Sequence, residues 1–196
     1  MTLPAPETHG TIDCMSWPTA DPLDTDRFVL EPLSVEHTSE MVAVLAPSEL
    51  YTFIGGEPLT ESALRRRYTR QSVGHSPDDD AGWLNWIIRT KATHDVVGYV
   101  QATLTGDGET LTADMAWLVT PSAQRSGAAT ESAAAALAWL REQQVHVARA
   151  LIHPEHYASA RVARRLGLEP TTAIVEGESV WELRMDVIRA EPNVVR

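Results

Sequence analysis

The first part of the chain combines one strand-like segment with two helical segments. Residues 27–33 are typical of a strand, and Ser34 after them is a favourable N-cap for a helix that extends to Ala46. Thr60 is a favourable N-cap for a second helix, which reaches about Val73. A strand followed by two capped helices is therefore the predicted N-terminal layout.

Three β-rich segments follow these helices. Residues 83–89 and 96–104 are separated by Thr93-His94-Asp95, which predicts a hairpin. The turn Gly106-Asp107-Gly108 leads to a further strand over residues 111–119. This region therefore predicts antiparallel strands.

The second half predicts a β-α-β-α unit that begins with the strand at 111–119. An alanine-rich helix covers about residues 130–145, a strand covers 150–153, and a helix over 160–166 ends at Gly167. Two more strands flank the turn at 176–178. Antiparallel strands before such a unit predict the α/β class, with a mixed, mostly antiparallel sheet flanked by helices on both faces.

Length and composition predict one domain. The chain has 196 residues, and we expect a domain over residues 26–186, a mobile N-terminal arm over 1–25 and a C-terminal tail over 187–196. The single cysteine, Cys14, cannot form an internal disulfide, which favours a reducing cytoplasm. The sequence shows neither a membrane-spanning apolar run nor a signal-peptide layout, so a cytoplasmic location without membrane contact is predicted.

Charge limits the classes of partner. A net charge of -11 argues against nucleic acid or an anionic membrane, and it mildly favours a cationic acceptor such as an amine. Solubility is the alternative explanation of an acidic surface. The arginines of the second helix, Arg65, Arg66, Arg67 and Arg70, are predicted to form a solvated helix face.

The segment before the alanine-rich helix carries the clearest chemical signal. Residues 124–129 read Gln-Arg-Ser-Gly-Ala-Ala. A turn that opens a helix presents unpaired main-chain N–H groups, and Gly127 lets a phosphate approach the main chain closely. A Rossmann turn needs more glycines, and a Walker A loop needs a lysine, which residues 101–196 lack. The loop predicts a pyrophosphate site of a different type.

The pattern Q/R-x-x-G-x-G/A resembles the coenzyme A pyrophosphate loop of the GNAT-type N-acetyltransferases, and more narrowly their RimJ/RimL-like branch. In that branch a run close to residues 113–121 precedes the loop, and an Asn-x-x-Ser turn and a helix ending in Leu-Gly-Phe follow later. This chain has His156-Tyr157-Ala158-Ser159 and Leu166-Gly167-Leu168 at those places. The resemblance covers roughly residues 26–184 and implies the GNAT-like acyl-CoA N-acyltransferase fold.

The resemblance implies acetyl-CoA as co-substrate. Main-chain groups of Leu118 and Val119 would pair with the pantetheine arm, and an N–H there would face the thioester oxygen. His156, in place of the asparagine, would lie beside pantetheine. No metal is predicted, because His153 and His156 lack a third ligand at a recognisable spacing. The implied phosphate-binding residues are Gln124, Arg125, Ser126, Gly127, Ala128, Ala129 and Thr130.

Ser159 is the candidate acid that protonates the departing thiolate. Many GNAT enzymes use a tyrosine four residues before the glycine of Leu-Gly-Phe, where this chain has Ala163. The alternative is that Ser159 caps the helix, and the two roles are compatible. Asp114, where the branch often has glutamate, is the candidate general base, whereas Glu131 is expected to stabilise a helix N-terminus.

The expected acceptor is a primary amine, either a protein N-terminus or a small cationic amine such as an antibiotic. Deprotonation at pH 7 costs an α-amine about 1 kcal/mol and a lysine about 4.6 kcal/mol. The absence of an obvious base therefore favours an α-amine, or a small amine of similarly modest pKa. The resemblance places residues 48–58 and 176–178 on the acceptor side. We expect an acetyl-CoA-dependent N-acetyltransferase that works by direct attack in a ternary complex. A non-catalytic acyl-CoA-binding module is the alternative, and a homodimer is left open.

Overall fold

The computed structural model describes residues 17–106 and 110–186. The strands within these residues form one eight-stranded sheet. In chain order the strands are β1 (Leu23–Asp24), β2 (Phe28–Pro32), β3 (Gly82–Thr90), β4 (Val96–Gly106), β5 (Leu111–Val119), β6 (Val145–Ile152), β7 (Glu169–Val175) and β8 (Glu178–Arg184). Residues 1–16 of the predicted arm, residues 107–108 of the predicted turn and the predicted tail lie outside the described residues.

The sheet is mixed, as predicted. Its strand order is β1-β2-β3-β4-β5-β6-β8-β7, and each neighbouring pair is antiparallel except β5 and β6. The exception arises because α3 (Ala128–Glu142) connects β5 to β6, and a helical crossover returns the chain in the same direction. The predicted fold class is therefore confirmed.

Helices cover both faces of the sheet. Besides α3, the α-helices of the described residues are α1 (Thr38–Val44), α2 (Glu61–Gln71) and α4 (Tyr157–Leu166). Ile87 of β3 packs into a cluster with residues of α1 and α2, whereas its neighbours Trp86 and Ile88 join the cluster that includes α3 and α4. This division follows from the alternation of side chains along a strand. None of the helices in the described residues is long and apolar enough to cross a membrane.

Two helices begin earlier than the sequence predicted. The alanine-rich helix starts at Ala128 rather than Thr130, and α4 starts at Tyr157 rather than Ala160. The predicted end of α4 is confirmed, since Gly167 closes it with a left-handed backbone, φ 88°. Each helix therefore opens directly at a turn that the sequence placed in the site.

The sequence assigns residues 1–25 to a mobile arm, and the described part of that segment packs against the sheet. Within residues 17–25, Trp17 packs against the core, and β1 pairs with β2. Trp86 Nε1 donates to the main-chain oxygen of Asp21 (2.8 Å), and Trp139 Nε1 donates to the Asp21 carboxylate (3.1 Å). Buried indole N–H groups need acceptors, and Asp21 supplies both of them, which explains why this segment lies against the sheet.

The strands β5 and β6 separate towards their carboxyl ends. Their parallel pairing ends at Asp114 and Arg149, although β5 continues to Val119 and β6 continues to Ile152. Beyond that point β5 pairs with β4 alone and β6 with β8 alone in the described part of the chain. The two edges that face each other across this gap therefore have no strand partner.

Candidate functional site

The gap between β5 and β6 is flanked by the amino ends of two helices. Carboxyl ends of parallel strands lie at the same edge of a sheet, so the segment that leads into α3 and the segment that leads into α4 are on the same side. Helix N-termini carry unpaired N–H groups and a positive partial charge. The gap therefore combines two unpaired strand edges with two anion-attracting helix ends.

The loop into α3 presents a set of free main-chain donors. The first main-chain bond of α3 runs from Glu131 N to Gly127 O at 3.0 Å. In the part of the chain that the structure describes, the N–H groups of Arg125, Ser126, Gly127, Ala129 and Thr130 have no acceptor. Five of the seven predicted phosphate-binding residues thus form a cradle of free N–H groups that can bind an anion. The N–H groups of the other two, Gln124 and Ala128, are paired with Thr120 and Ser126.

Glycine at position 127 is required by the backbone. Gly127 is the N-cap of α3 and has φ 87°, a left-handed conformation that side chains disfavour. A Cβ there would meet only the side chain of Arg27, whose Nη2 would lie 3.2 Å away. The conformation, in addition to the close approach argued from the sequence, therefore calls for glycine.

An ion pair holds this loop against β2. Arg27 Nη1 donates to the main-chain oxygen of Ser126 at 2.9 Å, and Arg27 Nε donates to Glu131 Oε2 at 2.7 Å. Glu131 also accepts from Arg27 N and from the Thr25 hydroxyl. Burial raises the pKa of Glu131, but these hydrogen bonds outweigh it and hold that pKa below its usual value. Glu131 therefore anchors Arg27, a contact that the sequence did not predict.

The turn into α4 contains a stacked aromatic pair. His156, the N-cap of α4, stacks on Phe53 with ring centroids 4.5 Å apart, and His153 lies 5.4 Å from the same ring. Burial, together with the charge of His153, lowers the pKa of His156, so its ring is neutral at pH 7. Phe53 belongs to the segment predicted on the acceptor side, and this stack links that segment to the gap.

Ser159 lies in the first turn of α4, three residues after the N-cap. Since His156 occupies the N-cap, the alternative in which Ser159 caps the helix is wrong. The Ser159 hydroxyl is half-buried and forms no hydrogen bond with another described residue. The Ser159 hydroxyl, at the start of α4 beside the gap, is therefore available to a ligand.

Asp114 does not have the surroundings of a general base. Arg149 Nε donates to Asp114 Oδ1 at 2.9 Å, and Arg149 Nη2 donates to Oδ2 at 2.8 Å. The hydrogen bond to Asp114 raises the pKa of Arg149, which keeps the guanidinium charged. Both carboxylate oxygens are thus engaged where β5 and β6 begin to separate, which favours a structural role for the pair.

A cavity lies on the face of the sheet that α1 and α2 cover, and it reaches β5. It extends from Tyr51 and Ile54 to Leu118 at the end of β5, and Gln101 of β4 lines its floor. We call it the α2 cavity, because Arg67, Tyr68 and Gln71 of that helix also line it. It reaches the strand residue whose main chain the resemblance places beside the thioester.

The arginines of α2 are exposed, as predicted, and one of them also lines the α2 cavity. Arg67 lines it, whereas Arg66 and Arg70 do not. The turn at residues 176–178, predicted on the acceptor side, joins β7 to β8 and does not line this cavity. Within residues 17–106 and 110–186, no three His, Cys, Asp or Glu side chains are grouped as metal ligands.

Comparison with protein families gives one match. The family model described as an acetyltransferase (GNAT) domain matches residues 27–169. This range begins just before β2, includes the gap and the α2 cavity, and ends at the start of β7. No functionally curated protein matches the chain significantly by sequence.

Solved structures share the fold. A Bordetella pertussis protein described as a GNAT-family acetyltransferase is 25% identical, with TM-score 0.62, over 83% of this chain and 98% of its own. A GNAT-family acetyltransferase from Bacillus anthracis is 17% identical, with TM-score 0.67, over 84% and 98%. RimL, a ribosomal L7/L12 α-N-protein acetyltransferase solved in complex with coenzyme A, is 12% identical, with TM-score 0.70. The match covers 86% of this chain and 100% of the RimL chain.

Proposed function

We propose that this chain, which belongs to the GNAT acetyltransferase family and is an N-acetyltransferase, transfers acetyl from acetyl-CoA to a primary amine by direct attack. The observation that carries the proposal is the cradle of free N–H groups at residues 125–127, 129 and 130, next to the gap between β5 and β6. A pyrophosphate bound there would satisfy donors that the described protein leaves unpaired.

The gap fits the rest of the coenzyme. Acetyl-CoA would supply the activated acetyl group, and its pantetheine arm is an extended chain with amide groups. The free edge of β5 beyond Asp114, including Leu118 and Val119, offers main-chain partners for such a chain, as a strand edge does for a peptide. His156 would pack beside the arm from the start of α4.

The residues around the gap divide the chemical work. The neutral amine nitrogen attacks the carbonyl carbon, a main-chain N–H near Leu118 donates to the carbonyl oxygen, and the carbon–sulfur bond breaks. Ser159, whose hydroxyl is unpaired and lies beside the gap, donates its proton to the departing sulfur. The attacking nitrogen loses a proton as it becomes the amide, and this proton returns to Ser159 directly or through water. Position 163, where many GNAT enzymes have tyrosine, holds a completely buried alanine. Alanine has no proton to donate, so this position supplies no acid.

The acceptor enters through the α2 cavity, which reaches β5 from the face of the sheet that α1 and α2 cover. Its polar lining consists of arginine, tyrosine, asparagine and glutamine side chains, none of which is a base at neutral pH. An α-amine is partly neutral at pH 7 and loses its proton to water at a small cost, about 1 kcal/mol. The acceptor is therefore an α-amine, such as that of a protein N-terminus.

Thiol release with a panel of amines tests this function. The full chain, incubated with acetyl-CoA, should release free thiol at a rate that depends on an α-amine acceptor, and acetylated product should appear in equal amount. Binding of coenzyme A is measured separately by calorimetry. Coenzyme binding without amine-dependent thiol release would instead support the non-catalytic acyl-CoA-binding module.

A further inference from the structure

The α2 cavity carries a positive charge without a counter-ion. Arg67 is among its lining residues, and none of them is aspartate or glutamate. Within the described residues Arg67 forms no ion pair or hydrogen bond, whereas Arg65 on the same helix lies 3.9 Å from Glu61. Because Arg67 is also exposed, it lies at the opening of the cavity, where an anionic group on a ligand can reach it.

The polar side chains near Arg67 are uncommitted as well. Tyr68 is only 5% exposed, and neither its hydroxyl nor that of Tyr99 forms a hydrogen bond in the described part of the chain. Burial raises the pKa of both hydroxyls against the opposing charge of Arg67, so both remain protonated donors. The side-chain amides of Asn85 and Gln101 are unpaired too. The cavity thus offers several donors and no negative charge.

The position of Arg67 on α2 is specific. Arg67, Tyr68 and Gln71 follow Leu64 by three, four and seven residues, which places all four on one helix face. All four line the cavity, whereas the adjacent Arg66 does not. Arg67 therefore differs from its neighbours by facing the proposed acceptor site, and Arg66 provides a matched control.

We propose that Arg67 selects an acceptor that carries a carboxylate close to its primary amine, with the Tyr68 hydroxyl as a further donor. The inference rests on the proposed acetyl transfer and narrows its acceptor to an amino acid or a polypeptide N-terminus with an acidic first residue. A planar guanidinium can bind both oxygens of a carboxylate. A polycationic amine, by contrast, would be repelled by Arg67 and would find no carboxylate in the cavity.

Matched acceptors test the selection. The peptide amides Asp-Ala-NH2 and Asn-Ala-NH2 differ only in the side-chain carboxylate. Alanine and alaninamide differ in the α-carboxylate, which also raises the pKa of the adjacent amine, so kcat/KM for this pair is compared per neutral amine. The first pair represents a polypeptide N-terminus, and the second represents a free amino acid. We expect kcat/KM to be about tenfold higher for the carboxylate member of at least one pair, mainly through KM, since Arg67 is exposed and solvent screens its charge.

Variants of α2 assign the preference to Arg67. Arg67→Gln should abolish the preference by lowering kcat/KM for the carboxylate member of each pair to that of its neutral partner, and Arg67→Lys should keep part of it. Arg66→Gln should retain the wild-type preference. Turnover of both members of both pairs with equal kcat/KM would overturn the inference and leave acetyl transfer intact.

Calorimetric binding of the same acceptors to the coenzyme A complex gives a readout that does not depend on turnover. Carboxylate-selective binding that Arg67→Gln removes, without any acetylation, would support the anion site and contradict acetyl transfer. Equal binding of both members of each pair, or a preference that survives in Arg67→Gln, would overturn the role of Arg67.

Discussion

Replacing Gly127 by alanine tests whether the conformation of the α3 loop is what binds the coenzyme. Gly127 has φ 87°, and the added Cβ would meet only Arg27 Nη2 at 3.2 Å. Because that atom also pairs with Glu131 at 2.7 Å, a small displacement of the Arg27 side chain adds a minor cost. The principal cost is the left-handed backbone of a residue with a Cβ, about 1–2 kcal/mol.

This strain can appear in affinity or in stability. If the loop relaxes, the N–H cradle is lost, and the coenzyme must restore the strained conformation when it binds. A cost of about 1–2 kcal/mol then raises the dissociation constant of coenzyme A about 5–30-fold. If the loop keeps its conformation, the same energy lowers Tm by about 2–8 °C for a chain of this size. Asparagine tolerates the left-handed region better, so Gly127→Asn should fall between glycine and alanine.

Gly177 provides a matched control. It lies in the turn between β7 and β8 with the same φ of 87°, and a Cβ there would meet nothing within 4 Å. Gly177→Ala should therefore lower Tm to a similar extent and leave coenzyme affinity unchanged. Calorimetric titration with coenzyme A and thermal unfolding are measured on all three variants and the wild type. Because the strain must appear in one quantity or the other, a Gly127→Ala protein that keeps both the wild-type Tm and the wild-type affinity for coenzyme A would refute the reasoning.

Three further substitutions address the remaining site residues. Ser159→Ala should lower kcat about 10²–10⁴-fold and leave coenzyme affinity and Tm nearly unchanged, because the hydroxyl is unpaired and does not cap α4; wild-type kcat would exclude the proton-donor role. Asp114→Asn should reduce stability by about 1 kcal/mol or less and preserve the pH dependence of kcat, since the pair with Arg149 is partly exposed; a large loss of kcat that is rescued at high pH would restore Asp114 as the base. The pKa of His156 is lowered by burial and by His153, so its stabilising effect is present above the unfolded value of 6.5 and is lost as pH falls below it. His156→Asn should therefore flatten the fall of Tm between about pH 7.5 and 5.5; an identical slope in both proteins would contradict this assignment.

The elements of the site could be predicted from the sequence because they depend on local signals. Gly127 and the alanines after it mark the opening of a helix, and Gly167 marks the end of another, so the loop and α4 were expected close to their observed positions. These features need only neighbours in the chain.

The partners of the site residues could not be predicted, because they come from distant segments. Arg149 engages Asp114 across a parallel pair that forms only after α3 returns the chain. Phe53 reaches His156 from the loop after α1, and no local pattern indicates this stack. Asp21 illustrates the same limit, since its order depends on two tryptophans far along the sequence. The sequence shows which side chains could take part in the chemistry. It does not show which of them are already bound to other residues of the protein.

The Arg27–Glu131 pair explains how a carboxylate can lie one turn from a proposed phosphate site. Glu131 alone would repel a pyrophosphate, but its charge is balanced by Arg27, with Arg27 Nη2 2.7 Å from Glu131 Oε2. Arg27 also holds the Ser126 oxygen, and in a trans peptide the N–H of the next residue points the opposite way. The Gly127 N–H is thereby directed away from Arg27 towards the open side of the loop. Arg27 therefore orients the cradle. The free N–H groups and the positive end of the helix dipole are what would bind the proposed phosphate.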